Sequence, residues 1–544
     1  MSRTSWLLAT GALLVSIGWW VSSSTMLVPN GDALVAPTKI ARAQIQNLRD
    51  FFAKVATVES IDDPVQRCLA YPDPPGSHWS RDAVSLYCRY RLEPVMSSEE
   101  IAGLVQQGRA AEVDRRFADA LKQQLSHSGT PGLLDRIYYR SFRMMRTPTL
   151  RNTVDGWKRQ SPDSAFAYAA SGMLYVSEAQ QARGDAFAEE TPSKNFVAMG
   201  KLLKSAKTDL EKAVKIDSHV VPAYAAMIYA AGLAGDNQYA NDAGKRALDV
   251  DPSSFSIYSQ LSWLAQPKWG GSLEAMRRII AEAQQHADAN PLLVLLLPDA
   301  DAAQAGLDSC NCKTVRQILA YKAVFDHAPT GSVLVAAAIG AAASGQSGPD
   351  IKGLEVKGVY LSEALRFYPD MRDLRMQRNA LMARLNMQSL SLARADAERM
   401  VASAPHDPDA LQMLGSIEHG LHDDAAAERD YLAVLAIRPD SRRTQNDLGQ
   451  IYVDKHQWDT GWTYAESLIR EHPASSEGWF LRAKIQKYQP RPGLRDTYDY
   501  FAAHFNTRPD SSMMIEQYDE QEQFAQMSYW LGLDPYRKMA RQGR

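Results

Sequence analysis

The sequence contains residues of the types that can hold an anion: Arg183, Trp269, Gly270 and Gly271. The last three occur in AQPKWGGSLEAM (265–276), which separates two segments with helical periodicity. A guanidinium, a large ring and two exposed backbone amides could form an anion-accepting corner. A structural role is favoured over this one: Trp269 would fold back over the helix pair, the glycines would supply the turn, and Arg183 would pair with a carboxylate.

The four cysteines offer a second kind of chemistry. Cys68 and Cys88 lie in a segment rich in proline and aromatic residues, whereas Cys310 and Cys312 form a C-N-C. Zinc would require a second close Cys or His pair beside Cys68 or Cys88, and the sequence has none, so a disulfide between these two is favoured. Cys310 and Cys312 could close a tight ring or remain two buried thiols.

Motifs for catalysis are missing from the sequence: it has no HExxH, Walker A, GxSxG, or GxGxxG in its strand context. In EHGLHDD (418–424), His419, His422 and Asp423 could gather a metal ion. This stretch falls at a helix end and the following turn, where polar residues are expected to face water. We therefore predict no catalytic residue, no metal and no cofactor.

The overall charge argues against nucleic acid as a partner. The chain has 544 residues, with 60 Lys and Arg against 63 Asp and Glu, a net charge of -3. No window gathers the dense basic stripe that phosphate binding needs. A chain of this length must form several domains or a repeat array that needs no single core.

The N-terminus has the pattern of a membrane segment. Residues 6–21 are apolar and uncharged, and an extension to Val28 reaches the length that spans a bilayer. Residues 1–28 are expected to be a signal anchor, which Trp19 and Trp20 favour, or a cleaved signal peptide. The body would then lie in the periplasm, held at the bacterial inner membrane or released by cleavage, and an even cysteine count suits that compartment.

A 34-residue period dominates the C-terminal third. Pro405, Pro439 and Pro473 are 34 residues apart, and in this register Leu414-Gly415 aligns with Leu448-Gly449. This pattern resembles the tetratricopeptide repeat, in which a Leu-Gly pair lies in helix A and a proline closes helix B. The same period recurs upstream in LLKSAKTDLEKAVKIDS and YANDAGKRALDVDP. The resemblance implies an all-α fold: a tetratricopeptide-like helical-hairpin solenoid in two blocks behind the N-terminal membrane segment.

A second resemblance covers about residues 97–291. Trp157, QARG (181–184) and PKWGGS (267–272) resemble a bacterial domain-of-unknown-function family with tetratricopeptide-like helices. This resemblance implies a helical fold and carries no activity over to the chain. The loop at 265–276 then takes the place of the turn between helices A and B, with Ser272 as the cap of helix B.

These patterns divide the chain into six parts. They are a signal anchor or signal peptide (1–28), a stalk and irregular linker (29–96), a tetratricopeptide-like domain of unknown function (97–291), connecting helices (292–350), tetratricopeptide repeats (351–510) and a C-terminal helical tail (511–544).

The repeat register also predicts a binding row. The helix A positions that line the groove in the tetratricopeptide family hold the following polar residues: Gln412, Ser416, His419, Arg443, Asn446, Gln450, Lys484 and Lys487. Such side chains could hold an extended peptide backbone or an acidic chain end, loosely as in the carboxylate-clamp members of that family. The alternative is an ordinary solvated face.

Three functions fit these features. We favour a membrane-tethered, envelope-facing scaffold that binds a protein or peptide on the concave face of its repeats. An immunity or protective protein that neutralises one incoming protein is the main alternative. An enzyme with an unrecognised site around Arg183 and Trp269 is the least favoured.

Overall fold

The computed structural model describes residues 50–143, 148–184, 186, 188–309, 324–344, 351–382, 387–489, 491–505 and 515–533. Within these ranges the chain forms helices and loops and has no β-strand. The predicted all-α class is therefore confirmed for this part of the chain. The described residues form two compact units: those within Asn47–Ser344 and Ser362–Asp370, and those within Gly345–Leu361 and Met371–Arg544.

Several helices of the first unit start at a proline or at a side chain that caps the first turn. Ser97 Oγ accepts a hydrogen bond from Glu100 N (3.2 Å), and Ser272 Oγ accepts one from Ala275 N (3.1 Å), the latter as predicted. After helical residues 50–58 the helices are α1 Pro64–Ala70, α2 Arg81–Leu92, α3 Ser98–Gln106, α4 Ala110–Leu125, α5 Leu133–Tyr138, α6 Pro148–Gln160, α7 Ala165–Arg183, α8 Ser193–Ile216, α9 Val221–Ala234, α10 Asn237–Val250, α11 Phe255–Leu264, α12 Leu273–Gln284, α13 Asp299–Ser309 and α14 Gly331–Ser344.

The irregular linker expected within residues 29–96 contains helices α1 and α2, so the expectation of irregular structure is wrong there. Asp63 caps α1 and Pro64 takes its first position, where a missing N–H costs nothing. With 7 residues, α1 is too short to show a helical period in the sequence. The predicted disulfide is present and joins the two helices, with the Sγ atoms of Cys68 and Cys88 2.08 Å apart.

Residues 362–370, distant in sequence, also belong to the first unit and contact the region of this disulfide. Arg366 lies near the end of α15 (Ile351–Phe367), within the portion that belongs to the first unit. Its Nε donates to the carbonyl oxygen of Cys68 (3.0 Å), and its Nη1 donates to Asp73 Oδ1 (2.8 Å) and Glu363 Oε2 (3.3 Å). Residues 362–370 are therefore a structural part of the first unit.

The described part of residues 292–350, for which we expected connecting helices, also belongs to the first unit. The apolar run after Asn290 forms a 3-10 helix, Pro291–Leu296, whose four leucines are fully buried. Helix α14 follows after residues 310–323, which lie outside the described ranges. The described part of this stretch is therefore helical at Pro291–Leu296, Asp299–Ser309 and Gly331–Ser344.

The second unit consists of helices that pack in sequence. Its helices after α15 are α16 Arg372–Met382, α17 Met387–Ser403, α18 Pro408–Gly420, α19 Asp424–Ile437, α20 Arg442–Asp454, α21 Trp458–Glu471, α22 Glu477–Tyr488, α23 Leu494–His504 and α24 Ile515–Trp530. From α16 onward each helix contacts the next, and α16, α18, α20, α22 and α24 also contact one another in that order.

The glycines of the repeat pattern permit this close packing. A Cβ on Gly415 would lie 2.7 Å from the Tyr431 ring, and one on Gly449 would lie 2.4 Å from Leu481 Cδ2. Both distances are shorter than real carbon contacts, so a larger residue would push the helices apart. The two glycines of the Leu-Gly pairs therefore mark helix contacts within the second unit.

No helix within the described ranges combines the length and the apolar character needed to cross a membrane. The segment 1–28, the first part of the stalk (29–49), Cys310 and Cys312 lie outside those ranges.

Candidate functional site

The predicted polar row lies on helices α18, α20 and α22, and α20 contacts both of the others. Asp407 caps α18 through the amides of Asp409 and Ala410, with Pro408 at the first helical position. Helix α20 begins at Arg442, 34 residues after Pro408, so side chains one repeat apart take equivalent positions. The repeat register thus places the row on neighbouring helices.

Gln412 connects α18 to α20. Its Nε2 donates to Asp447 Oδ2 (2.8 Å), and its Oε1 accepts from Thr444 Oγ1 (2.6 Å). Asn446 Nδ2 donates to the other oxygen of Asp447 at 3.5 Å. Two predicted amides therefore meet at one carboxylate that the sequence reasoning did not include.

Arg443 and Ser416 belong to the same network. Arg443 Nη2 donates to Ser416 Oγ (3.4 Å), and its Nε lies 3.8 Å from Asp447 Oδ2. Ser416 Oγ also accepts from the Tyr431 hydroxyl at 3.2 Å. The structure thus brings Gln412, Ser416, Arg443 and Asn446 together around Asp447.

The remaining predicted residues have partners of their own. Lys484 Nζ donates to Gln450 Oε1 (2.8 Å) and to Asp454 Oδ1 (3.0 Å), which joins α22 to α20. Lys487 is exposed, and its Nζ donates to the carbonyl oxygen of Trp530 (3.2 Å). His419 Nδ1 lies 2.8 Å from Asp424 Oδ1. The three cations of the row, Arg443, Lys484 and Lys487, therefore all have partners within the protein.

Asp447 sets the electrostatics of the row. It is 7 % exposed, and this burial raises the pKa of its carboxyl, while Arg443 and then His419 act to lower it. The signal for this residue is present in the sequence, since Arg443 and Asp447 are four residues apart and share one helix face. An acidic chain end would meet this carboxylate, so the row is less suited to one than the sequence suggested.

Two amide atoms of the row remain available. Among the described residues, no hydrogen bond engages Asn446 Oδ1 or Gln450 Nε2, although Asn446 Nδ2 and Gln450 Oε1 are both bound. The two residues are four positions apart on α20 and face the same way. One acceptor and one donor are therefore presented a helical turn apart.

The second predicted site, the corner at Trp269, is a packed turn. The Trp269 ring contacts the Trp263 ring (centroids 4.8 Å apart), and Trp263 stacks on Tyr229 at 4.9 Å. The amide of Gly270 donates to the Pro267 carbonyl (3.0 Å), and that of Gly271 donates to the Gln266 carbonyl (3.2 Å). Both amides are used within the loop, so the anion-accepting arrangement is not formed.

The two glycines are needed for different reasons. Gly270 has φ +85°, in the left-handed region, with open space around its Cα. Gly271 lies against the chain, since a Cβ there would come 2.1 Å from the Ala265 carbonyl oxygen. The turn from α11 to α12 therefore uses the first for its backbone angle and the second for a close approach.

Among the residues that the structure describes, Arg183 has no carboxylate partner of the kind we expected, and the neighbouring Asp185 lies outside them. Its Nη1 donates to the carbonyl oxygens of Gly184 (3.0 Å) and Ala186 (3.2 Å), and its guanidinium lies 5.8 Å from the Phe196 ring centre. The side chain thus fastens the end of α7 to the following loop. The structural interpretation of the corner is supported, with this correction to the partner of Arg183.

In EHGLHDD the polar residues serve the turn. Asp423 caps α19 by accepting from Ala426 N (3.3 Å) and also pairs with Arg394 (3.1 Å), while His422 takes a left-handed backbone angle (φ 63°). Within the ranges that the structure describes, no group of three or more His, Cys, Asp or Glu side chains is arranged to hold a metal ion.

Comparison of the chain with models of known protein families and with curated protein sequences found no match.

Proposed function

We propose that this chain is a membrane-tethered, envelope-facing scaffold that binds an extended segment of another protein. In this proposal its helix pairs form a tetratricopeptide-like solenoid in two blocks, and residues 1–28 hold it at the bacterial inner membrane. The ordered contacts of α16, α18, α20, α22 and α24 support the repeat architecture. The Cys68–Cys88 disulfide supports an oxidising compartment such as the periplasm.

The observation that carries the binding proposal is the pair of available amides on α20. Asn446 Oδ1 can accept from a peptide N–H, and Gln450 Nε2 can donate to a peptide carbonyl. Side chains four apart on a helix are about 6 Å apart, close to the two-residue repeat of an extended chain. An extended backbone therefore fits this spacing.

The rest of the network keeps the pair in place. Asn446 is 7 % exposed and bound through Nδ2 to Asp447, while Gln450 is 6 % exposed and bound through Oε1 to Lys484. Fixed amides lose little side-chain entropy when a ligand binds. Asp447 and Asp454 make the surface unfavourable for an acidic segment, so the partner segment is neutral or basic.

The test compares two variants of full-length chain in its membrane. A photo-crosslinking residue at exposed position 487 reports on whatever lies beside the row. In one variant Asn446→Ala and Gln450→Ala remove both available amides. In the matched control Gln445→Ala removes an amide from the same helix that is similarly buried (6 % exposed) and bound to the Pro439 carbonyl and Glu471.

The double variant should lose the crosslinked partner band while the Gln445→Ala control keeps it, with both proteins equally abundant. A partner band that persists in the double variant would place the site elsewhere. Replacement of Arg443, Asn446 and Lys484 by glutamate is a poorer test. A glutamate at position 443 would face Asp447, so that variant should lose stability as well as binding.

A further inference from the structure

Lysines run along the exposed side of α8 in the first unit. This helix has 24 residues, and its six lysines are all exposed: Lys194, Lys201, Lys204, Lys207, Lys212 and Lys215. The opposite side of α8 packs into the first unit through buried apolar residues such as Leu203 and Leu210. Since the helix rises 1.5 Å per residue, the lysines extend over about 30 Å of the surface.

The two acidic residues of α8 pair with cations of other helices. Asp209 is buried, and its Oδ2 lies 2.8 Å from Lys158 Nζ of α6. Glu211 Oε2 lies 3.4 Å from Arg246 Nη1 of α10. Within the described ranges none of the six lysines forms an ion pair, whereas the exposed Arg278 of α12 pairs with a glutamate one turn before it. In this part of the chain the charge of the lysines is therefore not balanced by ion pairs.

Four of the lysines lie on one side of the helix and form what we call the lysine row: Lys194, Lys201, Lys204 and Lys215. Their spacings of seven, three and eleven residues each return a side chain to the same side of an α-helix. Val197, which is 59 % exposed, lies on this side as well. Lys207 and Lys212 lie beside the row, each with its ammonium within 4.1 Å of a tyrosine ring centre. The row is dispersed in the sequence, so only the folded helix brings its charges together.

We propose that the lysine row lies against an anionic lipid surface. This inference rests on the membrane tether proposed above. Residues 29–49 connect the tether to the first described helix and can span at most about 70 Å even when fully extended, so the first unit stays near the bilayer.

The chemistry of the row favours lipid over an acidic protein. Ammonium groups of lysine attract anionic head groups as point charges, and Val197 can enter the boundary between head groups and acyl chains. The row contains no arginine, which is the residue that recognises carboxylates through paired hydrogen bonds. A diffuse anionic surface needs no such pairing, and a bilayer is nearly flat over the length of a straight helix.

Two lysines of the row can be neutralised without changing the helix. Each lysine near an anionic membrane strengthens the attraction about fivefold, so Lys201→Gln with Lys204→Gln should weaken docking about 25-fold. Glutamine has nearly the same helix propensity as lysine. Lys122→Gln with Arg159→Gln is the matched control, because it removes two exposed cations from α4 and α6, and neither forms an ion pair within the described ranges.

The test uses the full-length chain in phosphatidylcholine vesicles with and without phosphatidylglycerol. A photo-crosslinking residue replaces Thr208, which is exposed on the same side of α8 as the row. Lipid adducts at this position should form in the anionic vesicles and fall at least tenfold in the neutral ones. They should fall equally in the Lys201 and Lys204 variant and stay at the wild-type level in the control. Raising the salt from about 0.1 to 1 M shortens the screening length from about 10 to 3 Å and should also reduce them.

Flotation of the vesicles separates this inference from the tether. A chain that floats with neutral vesicles is anchored by another segment, and the absence of lipid adducts at position 208 in anionic vesicles would then overturn the lysine row alone. Flotation only with anionic vesicles, lost in the Lys201 and Lys204 variant, would support the row and refute the tether. Equal adducts in both kinds of vesicle, or an adduct with a protein instead of lipid in cell-envelope membranes, would also overturn the proposal.

Discussion

Removal of the Cys68–Cys88 disulfide should destabilise the first unit by about 3 kcal/mol. The bond joins residues 20 apart, and closing a loop of that length restricts the unfolded chain by about this amount in the chain-entropy account. Both sulfur positions are buried, at 1 % and 0 % exposure, so Cys68→Ala with Cys88→Ala avoids placing a polar group there. The folded contacts of Arg366 with the Cys68 carbonyl remain possible, because they use the backbone.

Hydrogen exchange with mass spectrometry in increasing urea can report the two units separately. Peptides from α1 and α2 should open at lower urea in the double variant, and peptides from α18 to α22 should be unchanged. A loss below about 1 kcal/mol in the first unit would refute the entropic reasoning.

A thiol count gives an independent check on the pairing. Denatured without reductant, Cys68→Ala should show one more free thiol than the wild type. In the folded protein that thiol should react slowly, since Cys88 is fully buried. A count one lower than that of the wild type would exclude the bond, because both thiols would then be free in the wild type.

The remaining predictions concern the turn at Trp269 and the pH dependence of stability, and urea unfolding measures all of them. Gly270→Ala should cost about 1 to 2 kcal/mol for its left-handed angle, and Gly271→Ala should cost more, because its Cβ would collide with the Ala265 carbonyl; equal costs would contradict this explanation. Trp269→Ala should cost about 3 kcal/mol. Trp269→Phe should cost much less, because Phe keeps a ring against Trp263, and the Nε1–H that it removes is buried without a partner; a Phe variant as weak as Ala would argue against this explanation. Burial raises the pKa of Asp299 to about 7, above its unfolded value of 3.8, so the folded state binds that proton more tightly and stability falls as pH rises from about 4 to above 7. Asp299→Asn should flatten this fall by up to about 4 kcal/mol, and an unchanged pH profile would show that Asp299 is not its source.

Helices with a full apolar period or an evident cap could be predicted from the sequence. Ser97 and Ser272 mark real helix starts, and the 34-residue spacing of Pro405, Pro439 and Pro473 places α18 to α22 in the right register. Helix α1 could not, since a seven-residue helix held by a disulfide owes its stability to tertiary contacts. Helix α2 has 12 residues and a serine cap at Ser80, so its signal was present in the sequence and was missed.

The candidate row could be predicted as a surface but not as a network. The register placed Gln412, Arg443 and Asn446 on adjacent helices, yet it could not show that they meet at Asp447. Hydrogen-bond partners depend on side-chain directions between helices, and a repeat alignment gives only positions along each one. For the same reason, GG in the loop did not reveal that Gly271 alone lies against Ala265.

The place of residues 362–370 in the first unit determines where the chain can be divided. The composition of SGQSGPDIKG (344–353) suggests a domain boundary at that stretch. A fragment that ends at 344, however, would leave Asp73 and the Cys68 carbonyl without the guanidinium of Arg366. Such a fragment would also lose Tyr368, whose ring lies 4.1 Å from the Arg91 guanidinium. An N-terminal fragment that is to be expressed alone should therefore extend through Asp370. Supplying 351–370 as a separate peptide should restore a fragment that was cut too early.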